Sequence, residues 1–72
     1  MHYSKQSELI AKLESLIDSA TLFDVTIALA LVCAEKAEHI ETTWQDKATA
    51  KPWIKSEREI TKAARTIAIL SI

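Results

Sequence analysis

The sequence predicts an all-α domain of three helices, the second long and central. Three observations carry that reading. The 72 residues include no glycine and one proline, so nothing interrupts a helix except near Pro52. Aromatic residues are only 6% of the chain, which leaves few of the side chains that favour strands. Apolar residues recur three and four positions apart, the spacing that gathers them on one side of a helix.

The length allows one domain, 1–72, with a thin core: a chain this short buries only about 60% of the surface its unfolded form exposes. Small domains compensate with disulfides, a metal or a partner subunit. The single cysteine, Cys33, cannot form an intrachain disulfide, and no zinc-binding spacing is present. A dimeric helical bundle is the expected solution.

Helix 1 is expected over about residues 5–19. Leu9, Ile10, Leu13, Leu16, Ile17 and Ala20 fall within an arc of about 120°, with Lys12, Glu14, Ser15 and Asp18 outside it. Ser4 or Ser7 suits the cap. The polarity resets between Asp18 and Asp24, where Thr21 and Asp24 approximate a capping box for a helix starting near Leu22. So short a connection favours an antiparallel or steeply crossed neighbour.

Helix 2 is expected over about 22–47. Its C-terminal half has a wet side bearing Glu35, Glu38 and Glu41. Its first half is apolar on several sides: Val25, Leu29 and Val32 point one way, Ile27 and Leu31 nearly the other. Such a helix must be covered all round. Helices 1 and 3 of the same chain supply about two-thirds of that cover, leaving Ile27 and Leu31, with the C-terminal Ile69, Leu70 and Ile72, for core packing or a dimer contact.

Helix 3 is expected over about 52–70, with Pro52 at its first position; Ser56 and Glu59 offer a second capping box one turn on. Lys51, Lys55, Arg58, Lys62 and Arg65 follow steps of 4, 3, 4 and 3, forming a basic stripe opposite Trp53, Ile60, Ala63, Ala64 and Ile67. Trp44 and Trp53 flank the expected helix 2–helix 3 junction, where they serve to close the core or to anchor a partner.

The net charge of −1 conceals a segregation. Residues 1–46 carry three basic and eight acidic side chains, a balance of −5; residues 47–72 carry six and two, a balance of +4. With a pI near 6.1, the chain lacks the basic excess of most nucleic-acid binders. The stripe therefore reads first as one half of a protein-level charge complement, the acidic face Glu35, Glu38 and Glu41 being the other. Phosphate-backbone binding by a dimer is the alternative reading.

Catalytic equipment is sparse. Glu35, Glu38 and His39 share one stretch of helix, but the second half of a carboxylate–histidine metal site has no counterpart on another helix. Cys33 lies in an apolar run and His39 falls on a different side of the helix, so the pair does not form a nucleophile and base. No cofactor or metal is expected, and the chain reads as non-enzymatic. The longest largely apolar run, residues 25–34, is about half a bilayer span. Helix 3 sets mostly Ala and Ile opposite its charges, which argues against lying on a membrane. No secretory pattern opens the sequence, and a cytoplasmic location is expected. The resulting functional expectation is a small regulatory or adaptor protein, a homodimer that binds another protein; its size also suits an inhibitor of phage or plasmid type.

Overall fold

The computed structural model describes residues 2–71 and is all-helical: α1 spans His2–Ser19, α2 spans Leu22–Thr43 and α3 spans Lys47–Leu70. No strand occurs among the described residues.

The start of α2 follows from Thr21. Its backbone is extended (φ −151°, ψ 164°) and its side chain accepts the Asp24 N–H at 3.0 Å, satisfying one of the donors that a helix start leaves free. Its end and the start of α3 lie elsewhere than the proline suggests. α2 stops at Thr43, not near 47, and α3 begins at Lys47, five residues before Pro52. The cause is Asp46, whose carboxylate accepts the Thr49 N–H at 3.0 Å and the Thr49 hydroxyl at 2.6 Å. Pro52 thus falls in the second turn, where it removes the donor that would meet the Ala48 carbonyl; Ala48 is exposed, so water can take that bond.

The turn between the two helices is made without glycine. Gln45 adopts φ 52°, the left-handed conformation that commonly terminates helices. The Ile40 carbonyl accepts N–H bonds from both Trp44, at 3.1 Å, and Asp46, at 3.4 Å. Three residues, 44–46, therefore reverse the chain, and α2 and α3 pack as an antiparallel hairpin.

The hairpin seam has a seven-residue rhythm. On α2 the residues withdrawn from solvent include Phe23, Thr26, Ala30, Cys33, Ala37 and Ile40; on α3 they include Ala50, Trp53, Glu57, Ile60, Ala64 and Ile67. Steps of 3 and 4 repeat along both helices, the pattern that keeps one seam facing its partner. The most buried positions are small: Ala30, Cys33, Ala37, Ala50 and Ala64, the last two with no exposed surface. A seam of alanines lets the helices approach closely, trading side-chain bulk for tight contact along its length.

α1 stands apart from this hairpin. The chain turns through 119° between α1 and α2, and α1 makes little contact with α2 and none with α3. The steep crossing agrees with the short connection, but α1 does not lie along α2 and does not cover it. Leu9, Ile10, Leu13 and Leu16 consequently remain 40–53% exposed. The molecule is flat and open, 38 × 37 × 16 Å, with a radius of gyration of 14.5 Å; a compact domain of this length has about 11 Å. No single helix among the described residues is long and apolar enough to cross a membrane.

Candidate protein-interaction surfaces

Helical geometry sets the basic stripe on the outer side of α3. Lys51, Lys55, Arg58, Lys62 and Arg65 are all exposed and centre about 150° around the helix from the seam, at 100° per residue. Glu59 meets Lys62 at 3.3 Å, with both side chains more than 60% exposed; such a pair is worth about 0–1 kcal/mol. Lys51, Lys55, Arg58 and Arg65 have no carboxylate within ion-pair distance among the described residues. The folded chain leaves most of its basic stripe uncompensated.

Open depressions run along this side, one lined by Lys51, Ile54, Lys55 and Arg58, another by Pro52, Lys55, Ser56, Glu59 and Ile60. Each is bordered by α3 alone. A ligand pocket that buries most of a small molecule needs walls from more than one element; these shapes suit an extended contact instead.

The acidic face sits on α2, with Glu35 and Glu38 exposed and Glu41 half-buried. It lies to one side of the seam, so within one chain it does not meet the α3 stripe. His39 is exposed, its Nδ1 3.4 Å from the Thr43 hydroxyl. Among the described residues no three His, Cys, Asp or Glu side chains are grouped to hold a metal ion. Cys33 is buried in the seam.

The apolar residues singled out in the sequence separate into different environments. Ile27 is half-buried at the edge of the seam, while Leu31 is 59% exposed on the side of α2 that also carries Asp24, Glu35 and Glu38. Ile69 and Leu70 are exposed at the end of α3; Ile72 lies outside the described residues. Trp53 enters the seam, whereas Trp44, at the turn before α3 begins, is 69% exposed. Only Trp53 is placed to fill the junction; Trp44 is left as a surface aromatic.

Two features escape a reading by amphipathic arcs. Glu57, half-buried, accepts the Thr61 hydroxyl at 3.1 Å while that hydroxyl also reaches the Glu57 carbonyl at 2.8 Å. Its spacing of seven from both Ala50 and Ala64 marks it as a seam position. The other is the α1 leucine face with the neighbouring stripe Leu22, Leu29 and Val32, which are 46–51% exposed. Among the described residues, ten of the twelve large apolar residues left exposed lie on α1, the first half of α2 or the end of α3. The antiparallel hairpin brings the first half of α2 and the end of α3 to the end at which α1 joins. Comparison with protein-family models, with curated proteins and with solved structures finds no match.

Proposed function

We propose that this chain is a small non-enzymatic adaptor or regulator that works as a homodimer and binds another protein through the outer side of α3. The observation that carries the reading is the basic stripe: five cations at helical spacing, four of them without a carboxylate partner among the described residues. A partner with an acidic face satisfies those charges, and complementary potentials of this kind raise the association rate and fix the orientation of docking.

A protein partner is favoured over nucleic acid by the charges around the stripe. Glu59 is at its edge and paired to Lys62, and the chain carries a net charge of −1 with a pI near 6.1, without the basic excess that nucleic-acid-binding domains carry. The test is charge reversal. Lys55→Glu with Arg58→Glu should abolish the specific cross-linked complexes of the full chain with other proteins, its own dimer aside, while leaving its helical circular dichroism unchanged. Retention of those complexes by the double variant overturns the reading. Titration against duplex DNA and RNA at two salt concentrations decides the competing case: tight, salt-sensitive binding lost in the same variant would replace the protein partner with a phosphate backbone.

A further inference from the structure

We infer that the exposed leucine face of α1 is the homodimer interface, closed by the antiparallel α1 of a second copy. The inference rests on the dimer proposed above but not on the α3 partner.

Surface area is the first argument. A compact monomer of 8.0 kDa exposes about 4,450 Å², whereas this chain exposes 5965 Å². The surplus, about 1,500 Å² per chain, exceeds the roughly 800 Å² per partner of a standard stable interface and falls in the range of obligate homodimers. Exposed large apolar residues cluster along one stretch of the chain. Leu9, Ile10, Leu13 and Leu16 line α1, and Leu22, Leu29 and Val32 continue beyond the bend.

Charge selects the occupant. Among residues 5–12, Lys5, Glu8 and Lys12 sum to +1; among residues 13–20, Glu14 and Asp18 sum to −2. A twofold axis across the middle of α1 sets the first half against the second half of its copy, so the flanking charges are unlike. An anionic bilayer is the poorer fit, because interfacial helices of that kind are rich in Lys and Arg on the polar side, and here two lysines face three carboxylates.

Sedimentation equilibrium of the full chain at tens of micromolar should give twice the 8.0 kDa of one chain. Leu13→Glu with Leu16→Glu should reduce that to a single chain. A charge-swap pair removes the ambiguity of misfolding: Lys5→Glu with Lys12→Glu, and separately Glu14→Lys with Asp18→Lys, should each weaken self-association at least tenfold, and an equimolar mixture should recover it as a heterodimer. A monomeric wild type overturns both the dimer and this interface. A wild-type dimer whose affinity is unmoved by all the α1 variants overturns the interface alone. Flotation of monomeric wild type with phosphatidylcholine–phosphatidylserine vesicles overturns it in favour of lipid. Binding through the α3 stripe is scored separately, by the Lys55→Glu, Arg58→Glu variant.

Discussion

Thr49 donates twice to Asp46: its hydroxyl to one carboxylate oxygen at 2.6 Å and its backbone N–H to the other at 3.0 Å. The bond from the hydroxyl, then that from the backbone, holds the Asp46 carboxyl below its ordinary value of 3.8. The folded pKa is thus lower than the unfolded one. The stabilisation is complete above the unfolded value and is lost as pH falls through the folded value. Thermal melts should show a wild-type Tm that declines as pH drops below about 4, with a smaller decline in Asp46→Asn, which keeps an acceptor but cannot titrate. Asp46→Ala should lower the Tm at neutral pH as well, because the α3 cap is then gone. Equal acid sensitivity in wild type and Asp46→Asn would show that other carboxylates govern the transition.

Gln45 holds a left-handed φ of 52° in a chain without a glycine to place there. A side chain with a Cβ pays about 1–2 kcal/mol in that conformation, offset in part because glycine is more flexible when unfolded. Gln45→Gly should therefore stabilise the hairpin by about 0.5–1 kcal/mol, which for a domain of this size raises the Tm by roughly 2–8 °C. Gln45→Val, β-branched and less tolerant of positive φ, should shift it the other way. Denaturant midpoints at fixed protein concentration measure both.

The alanine seam makes its own demand on residue size. Ala64 has no exposed surface, and a larger side chain there must push α2 and α3 apart. Ala64→Leu should destabilise by about 1–3 kcal/mol, the usual cost of overpacking, although it adds apolar surface. Ala63→Leu is the control. Ala63 is exposed next to the seam, so the same change there should be nearly neutral.

The three-helix architecture was legible from the periodicity of α1, the Thr21 cap and the lack of glycine. Three boundaries were not: α1 already runs from His2, so Ser4 and Ser7 lie inside the helix and do not cap it, and the end of α2 and start of α3 are displaced because Asp46 competes with Pro52 as the start of α3. The proline is the stronger signal in a sequence, but it tolerates the second turn once a two-bond cap has nucleated the helix upstream. The basic stripe was legible because charged exposed positions follow helical spacing regardless of packing. The role of α1 was not. Its apolar arc looks the same whether it covers α2 or faces outward, and only the alanine repeats at 30, 37, 50 and 64 indicate that α2 takes α3 as its close partner. Small residues carry weak hydropathy, so an arc drawn from large apolar side chains overlooks them.

Cys33 offers a direct check that the hairpin and α1 are separate units. The residue is 5% exposed within the α2–α3 seam, while α1 makes little contact with α2 and none with α3. A thiol reagent can reach Cys33 only when the seam opens, so its labelling rate reports the free energy of that opening. Ala64→Leu, by destabilising the seam by about 1–3 kcal/mol, should accelerate labelling roughly 5- to 150-fold when opening and closing outpace the reagent. Leu13→Glu with Leu16→Glu should leave the rate within about twofold, because α1 makes no contact with α3 and little with α2, and cooperative opening follows contiguous packed units. Acceleration by the α1 variant comparable to that of Ala64→Leu would mean that the two units open together and that α1, by its own contacts or through a second copy, supports the seam.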